Sequence, residues 1–387
     1  MKESLFNYRF EYENQKYIFN TNNNGLIQIN NDIFTEEERE YLRVNRFWVD
    51  DNEDEIALLE REINHNIQKR QKELELTIAL TNYCNFSCVY CYQNKNEKLM
   101  TTEVANMIIE KIDRILNDNI FEGINIHYFG GEPLLNIPVL IYLDENIKKI
   151  TDKIGIVYKA FLTTNGSMLS KELLQKVKFS SIQLTFDGLE KTHDRLRVSD
   201  HFHFKEEIEL IENIMNFSQA KVLLRTNICK ENKDEIIALH KYIFEKFGNE
   251  RIEINPNRTI KYHQDDSFEM LSVQEYAEVA YQIKLLWSEQ KGKFELPVPR
   301  STPCKFPYGN AYAISPEGYC TFCSGSMDQE KKYFFDVDIE NKKMFSVRKE
   351  CKKCNILPLC LGGCIIQYNL RAGACTYEKY ELKNILI

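Results

Sequence analysis

Three cysteines stand close together in Cys84-Asn85-Phe86-Ser87-Cys88-Val89-Tyr90-Cys91, a Cx3Cx2C spacing that directly follows the apolar run Leu76 to Leu80. Thiolates are soft donors suited to zinc or to iron–sulfur clusters. An iron–sulfur cube takes four cysteines, so a triplet leaves one iron free to bind something that is not protein. That open iron is the expected seat of the chemistry. Two plainer readings compete with it. The same spacing sets the thiols on one face of a helix as buried small residues, and a structural zinc site needs a fourth Cys or His, which is not found close by. A second group, Cys304, Cys320, Cys323, Cys351, Cys354, Cys360, Cys364 and Cys375, falls within 72 residues near the C-terminus. Apolar periodicity is weak there, which predicts metal sites in place of a core. Cys229 lies outside both groups and reads as a small buried residue.

The elements that must hold these groups follow from the hydrophobic pattern. Strands are expected at Leu76 to Leu80, Ile124 to Phe129, Ile156 to Leu162, Ser181 to Phe186, Val222 to Asn227 and Arg251 to Ile254. Helices are expected near 102 to 117, 138 to 149, 170 to 176, 204 to 217 and 233 to 247. Alternating strands and helices imply a parallel α/β sheet, and six βα units are too few for a full eight-fold barrel. Ligands of such sheets sit at the C-terminal strand ends. Those ends carry the cysteine triplet, Gly130-Gly131-Glu132-Pro133, Thr163-Thr164-Asn165-Gly166 and Asp187-Gly188.

Ahead of the sheet, residues 1 to 32 alternate as a small antiparallel meander, Thr35 and Glu38 form a capping pair, and Asp51 to Lys69 reads as a helix. This module is either a packing extension or a platform that adds a substrate strand at an exposed edge. Residues 257 to 299 form a polar bridge with one helix, Val273 to Trp287, and no low-complexity segment or short repeat is present.

Composition narrows the partners. A net charge of -8 and pI near 5.6 give no basic footprint for nucleic acid. No run is long enough to span a membrane and Met1 to Phe6 has no apolar signal core, so a cytoplasmic protein is expected. Twelve cysteines in a reducing compartment point to metal rather than disulfides.

Together these motifs resemble a radical S-adenosylmethionine (SAM) enzyme with a C-terminal SPASM domain, over about residues 76 to 375. The resemblance implies an α/β fold: a partial (β/α)6 barrel with a small α+β N-terminal module and a Cys-rich C-terminal domain. Its expected division is 1–74 as a module for leader-peptide docking, 75–260 as the barrel, 261–299 as a bridge and 300–387 as the SPASM domain. It makes Cys84, Cys88 and Cys91 the ligands of a 4Fe-4S cluster whose fourth iron chelates SAM, a source of 5'-deoxyadenosyl radical chemistry. It also implies that Tyr90 contacts adenine, that Gly130, Gly131 and Glu132 meet the methionine ammonium, and that Thr185, within Thr185-Phe186-Asp187-Gly188, contacts ribose. His193-Asp194-Arg195-Leu196-Arg197 is similar to the family's HDxxR segment, whose last Arg meets the SAM carboxylate; Arg195 is the alternative to Arg197. Asn165, Asp187 and Asn227 complete the candidate rim.

The C-terminal cysteines resemble the SPASM pattern CX2CX5CX3C followed by a further Cys. By that resemblance Cys351, Cys354, Cys360 and Cys375 hold an outer auxiliary 4Fe-4S cluster, and Cys304, Cys323 and Cys364 an inner one, with Cys320 as its fourth ligand or an open iron in its place. Zinc at either site remains the alternative. The family acts on peptides, with a low-potential donor such as flavodoxin or ferredoxin supplying electrons. Sulfatase maturases place an Asp base where this chain has Ser324, with Asp328 displaced, so formylglycine formation is the alternative to an intramolecular cross-link, most simply a Cys thioether. Epimerisation, a carbon–carbon link and a non-catalytic zinc-rich peptide-binding protein stay open.

Overall fold

The computed structural model describes the chain except residues 30–33, 94, 119–120, 249–250, 262–266, 293–295, 322, 327–331, 338–343 and 365–374. Asp328 therefore lies outside the described residues. The chain forms two compact units, one of Met1–Lys69, Ser272–Tyr308 and Lys343–Ile387, the other of Arg70–Leu271 and Gly309–Lys342.

The first unit begins with β1 (Lys2–Glu3), β2 (Asn7–Tyr12), β3 (Gln15–Asn20) and β4 (Leu26–Ile29), then α1 (Glu36–Val44), β5 (Trp48–Val49) and α2 (Glu55–Arg70). Strands β2, β3 and β4 form the predicted antiparallel meander. The tight turn between the first two is set by Glu13 and Asn14, with φ of 48° and 60°, as a two-residue hairpin requires. Thr35 and Glu38 make the reciprocal capping box at the start of α1. On α2 the stripe Leu59, Ile63 and Ile67 is buried, and it packs against Phe6, Phe345, Val347, Leu357 and Leu361. The C-terminal cysteine segment therefore does have an apolar core, contrary to its weak periodicity. Its core residues are shared with the N-terminal module, so no single segment shows the pattern.

The second unit runs β6 (Glu73–Ala79), α3 (Thr102–Asp118), β7 (Gly123–Phe129), α4 (Ile137–Ile154), β8 (Val157–Thr163), α5 (Lys171–Lys176), β9 (Phe179–Thr185), α6 (Glu190–Leu196), α7 (Phe204–Phe217), β10 (Lys221–Ile228), α8 (Ile236–Phe247) and β11 (Ile252–Arg258). After α9 (Val273–Lys291) and α10 (Lys305–Tyr308) of the first unit, the chain returns to it as β12 (Ala311–Ile314), β13 (Tyr319–Thr321) and β14 (Lys332–Tyr333). The sheet order is β11-β10-β9-β8-β7-β6-β12-β13-β14. The strands from β11 to β12 are parallel, and β13 and β14 add an antiparallel edge. This is the open α/β barrel expected from the sequence, extended by the unpredicted strand β12 and its hairpin.

The two sheet faces differ sharply. Ile124, Ile126 and Tyr128 on β7 are 0% exposed, whereas Asn125, His127 and Phe129 between them are half-buried. The first set faces the helices: Tyr158 on β8 hydrogen-bonds both Tyr128 and Asp144 of α4. The second set lines a concave face. Gln183 on β9 and Asn255 on β11 meet at 3.3 Å across the intervening β10, which requires the sheet to curl inward.

Candidate functional site

The Cys84 to Cys91 loop leaves β6 and is tied down by backbone hydrogen bonds. Ser87 N donates to Val198 O at 2.8 Å and Val89 N to Leu196 O at 3.0 Å, so the loop runs beside the end of α6. Gly131 N donates to Thr81 O at 2.8 Å and Glu132 N to Tyr83 O at 2.9 Å, fastening the start of the loop to the turn after β7. This approach needs both glycines. A Cβ on Gly131 would stand 2.1 Å from Tyr83 O, and one on Gly130, where φ is 141°, 2.3 Å from Thr81 O. The glycines thus have a structural task that the sequence did not suggest: they let the cysteine loop dock.

The three thiols share one neighbourhood. Burial raises the Cys84 thiol, with Glu132 and Cys91 adding to it and the Phe86 N–H and Lys95 opposing. Cys88 is pushed up to about 12 by burial, opposed by Arg197 and reinforced by Cys91 and Cys84. Cys84 Sγ accepts from Phe86 N at 3.4 Å and lies 3.8 Å from Asn165 Nδ2. Clustered, half-buried sulfurs with such donors fit iron–sulfur ligation, where hydrogen bonds to sulfur tune the cluster. Among the described residues no three Cys, His, Asp or Glu side chains converge on a single ion. A cube is a different demand, because each iron takes its own thiolate.

Glu132 is fully buried, and both its oxygens are engaged: Oε1 accepts from Leu134 N at 2.9 Å and Thr164 Oγ1 at 2.7 Å, and Oε2 from Asn165 N at 2.7 Å. Burial raises its carboxyl to about 7, against the Asn165, Thr164 and Leu134 donors and Arg197. Asn165 passes this order on: its Nδ2 donates to Asn85 Oδ1 at 2.8 Å inside the cysteine loop. Asn85, missed from sequence, is bracketed by Asn165 and by Ser167 Oγ at 2.9 Å.

On the other side of the loop, the Tyr90 hydroxyl donates to Asp187 Oδ2 and lies 3.5 Å from Arg197 Nη1. Asp187 is 0% exposed; burial raises it, and Arg197, Tyr90 and the Asn227 N–H oppose. Asn227 N donates to Asp187 Oδ1 at 2.7 Å. Arg197 is the C-cap of α6 and 6% exposed, with its guanidinium 5.5 Å from the Phe86 ring. Burial opposes its charge, but Tyr90, Cys88, Glu207 and Asp187 hold it protonated. Its Nε has no hydrogen-bond partner among the described residues. A buried guanidinium with an open donor beside Cys88 fits a ligand that brings a carboxylate. Thr185, at the end of β9, is buried on the same rim. Arg195 lies two positions back on α6, a seven-residue helix not among those expected from sequence. The helix is held by the buried pair His193 and Glu207, 3.2 Å apart between Nε2 and Oε2.

In the first unit, α11 (Leu357–Cys360) ends in three successive left-handed residues, Leu361, Gly362 and Gly363, with φ of 47°, 82° and 69°. They reverse the chain between Cys360 and Cys364. Burial raises the Cys351 thiol, opposed by Arg348 and reinforced by Cys354 and Cys375. Cys360 is pushed up to about 11 by burial, with a contribution from Cys354 against the Gly362 N–H and Thr376 hydroxyl. The Cys351, Cys354, Cys360 and Cys375 thiols thus share one region of one unit. Cys304 lines a cavity of about 230 Å³ with Tyr308, Arg348, Cys351 and Gly363. Of the candidate inner ligands, Cys304 and Cys364 belong to this unit and Cys320 and Cys323 to the barrel unit. Cys320 on β13 is pushed up to about 12 by burial, and Cys323 Sγ accepts from Gly325 N at 3.3 Å. Cys229 is 0% exposed in a core with Leu196 and Phe268.

Comparison with known proteins agrees with this geometry. Residues 78–243 match the family model described as the Radical SAM superfamily. The chain is 24% identical over 372 residues to the radical SAM cyclopropyl synthase TigE of Paramaledivibacter caminithermalis, covering 84% of this chain and 76% of that protein. An uncharacterised protein of Methanocaldococcus jannaschii is 34% identical over 119 residues, 30% of this chain, and there the match spans 39% of the relative's length. Among solved structures, native anSMEcpe with bound AdoMet superposes with a TM-score of 0.64 at 19% identity, over 81% of this chain and 96% of that one. Streptococcus suis SuiB bound to precursor peptide SuiA gives 0.56 at 15% identity, over 97% and 98%. At these identities the structural matches show a shared fold.

Proposed function

We infer, from a chain whose residues 78–243 belong to the radical SAM superfamily, that this protein is a maturase acting on a ribosomally made precursor peptide, which it oxidises to form an intramolecular cross-link. The observation that carries the reading is the pairing of two thiol groups: a triplet beside a buried, half-satisfied arginine in one unit, and the four gathered cysteines Cys351, Cys354, Cys360 and Cys375 in the other. One group suits the start of an oxidation and the other its completion. The peptide is favoured by SuiB, which shares the fold and is bound to a precursor peptide.

When bound, the cluster and SAM together supply a hydrogen-abstracting radical. Cys84, Cys88 and Cys91 would hold that cluster, and Arg197 would fix the SAM carboxylate through its open Nε edge. Tyr90, fastened to Asp187, keeps the loop wall rigid, while Glu132 and Asn165 order the opposite wall. Cys351, Cys354, Cys360 and Cys375 would hold an outer cluster able to take up the second electron. A low-potential flavodoxin or ferredoxin would feed the barrel site, and residues 1–74 would receive the leader.

A Cys thioether is our first choice of bond, because Ser324 stands where sulfatase maturases carry an acidic base. Carbon–carbon bond formation is the second, favoured by the match to a cyclopropyl synthase over 84% of this chain. Anaerobic reconstitution with iron and sulfide should yield a protein that, supplied with a low-potential reductant, releases 5'-deoxyadenosine from SAM. Replacing Cys84, Cys88 and Cys91 by Ala should abolish that release while iron bound by the C-terminal cysteines remains. A Cys-containing peptide co-expressed with the protein should lose two hydrogen atoms per link. An unchanged mass and no SAM cleavage would remove the proposal.

A further inference from the structure

The concave face of the barrel carries a polar layer that extends beyond the candidate SAM rim. Arg225 sits at its centre. Its neighbours along β10, Leu224 and Thr226, are 0% exposed and point to the helices, Thr226 Oγ1 lying 3.2 Å from His240 Nε2 on α8. Strand alternation therefore turns Arg225 to the concave face. Register pairs it with Thr185 on β9 and Asn255 on β11, which places it beside the rim.

The surroundings of Arg225 satisfy their own polarity but not its charge. Asn255 Nδ2 donates to Gln183 Oε1 at 3.3 Å, and Asn257 Nδ2 donates to Asn255 Oδ1 at 2.8 Å. Arg225 Nε donates to Asn227 Oδ1 at 2.8 Å, which orients the guanidinium. No carboxylate pairs with Arg225 among the described residues, and no further hydrogen bond is formed there by its terminal nitrogens. A half-buried guanidinium held by its Nε presents the two-nitrogen fork that matches a carboxylate in a bidentate pair.

We propose that Arg225 is a specificity residue that binds a carboxylate of the peptide substrate on the concave face, next to the SAM rim. The proposal rests on the peptide reading above and deepens it: the substrate carries an Asp or Glu side chain, or its C-terminal carboxylate, at the segment that enters the barrel. Arg197 already offers its open edge to the carboxylate of SAM, so Arg225 is left for the second anion.

The test uses the reconstituted protein saturated with SAM and measures binding of three blocked probes by calorimetry: N-acetylglutamate N-methylamide, its neutral glutamine analogue, and N-acetylalanine. At least tenfold tighter binding of the glutamate probe identifies a side-chain carboxylate, and of N-acetylalanine a terminal one. Arg225→Gln should bring all three within about twofold of each other while the affinity for SAM stays within about twofold. Arg225→Lys, which keeps the charge and loses the fork, should fall between. Equal binding of all three probes to the unaltered protein overturns the proposal. So does loss of SAM affinity in both variants, which would assign Arg225 to the cofactor. Failure of the peptide reading would show separately, as an unchanged peptide mass in co-expression with the unaltered protein.

Discussion

Glu132 shows how one side chain sets the order of a rim. It is 0% exposed, and it ties Leu134, Thr164 and Asn165 to a single carboxylate. In Glu132→Gln an amide N–H2 replaces one oxygen, so either Asn165 N or its companion donors lose their acceptor. An unsatisfied buried N–H costs about 1–3 kcal/mol. Because Asn165 also holds Asn85 in the cysteine loop, the variant should lower the urea midpoint and weaken SAM binding about tenfold, read by equilibrium binding to the reconstituted protein. An unaltered SAM affinity would show that the two loops are not coupled through this carboxylate. Arg197 calls for a different exchange. Arg197→Lys keeps a charge near Cys88 but loses the planar fork, so SAM affinity should fall by about tenfold, about 1.4 kcal/mol, with iron content unchanged. Loss of iron instead would make Arg197 a support of the cysteine loop alone. Both residues were legible as motif members, as were Asn165 and Tyr90; the bonds that join them were not, since hydrogen bonds between loops 30 or more positions apart leave no periodic trace in a chain.

At the scale of elements, the docking of the cysteine loop against the β7 turn carries the sharpest steric demand. Gly131→Ala would place a methyl 2.1 Å from Tyr83 O, where backbone rather than a flexible side chain must move. Overpacking of this kind costs about 1–3 kcal/mol or more. The displaced loop should take up less iron at the barrel site, measured as iron per chain in a background lacking the C-terminal cysteines. Helix α8 gives a pH dependence instead. Burial lowers His240 to about 3, so the folded protein keeps it neutral while the unfolded chain protonates it near 6.5. Stability from this group is therefore complete above about 6.5 and is lost as pH falls toward 3. Between pH 7.5 and 5.5 the loss amounts to about 1.4 kcal/mol. His240→Leu should remove that slope from urea midpoints; a slope unchanged by the substitution would sink the assignment. The six long strands and their helices were readable because each alternates or repeats over a full element. Shorter elements were not, among them α6, seven residues of charged sequence, and β12, four residues recruited to the sheet after a passage through the other unit. Both are stabilised by tertiary neighbours rather than by their own pattern.

Across the whole chain, the least legible feature was the dependence of the C-terminal cysteines on the N-terminal residues. Sequence alone left residues 1 to 74 as either a packing extension or a docking platform, and gave the cysteine-rich segment no core. In the first unit Phe6, Leu59, Ile63 and Ile67 bury Phe345, Val347, Leu357 and Leu361, while Phe19 packs with Ile356, Leu359 and Leu382. Hydrogen bonds follow the same seam. Asn64 exchanges two with the backbone of Phe345, at 2.9 and 2.8 Å, Glu60 accepts from Val347 N at 2.7 Å, and Asn355 Nδ2 donates to Asn7 O at 3.1 Å. Packing and docking are compatible, because among the described residues β2 and β4 pair with no strand on their outer sides while α2 packs against the cysteine segment. Removal of residues 1–69 therefore tests more than leader recognition. It would expose at least seven large apolar side chains around Cys351 and Cys354, each worth about 1.5–3 kcal/mol when buried. The truncated chain should aggregate or fail to take up iron at its C-terminal cysteines on reconstitution, as measured by sedimentation and iron content. A pure docking module predicts the opposite: a soluble protein with full iron and intact SAM cleavage that merely fails to bind the leader. That result would return the N-terminal residues to the role of a detachable platform and leave the C-terminal cysteines to stabilise themselves through metal.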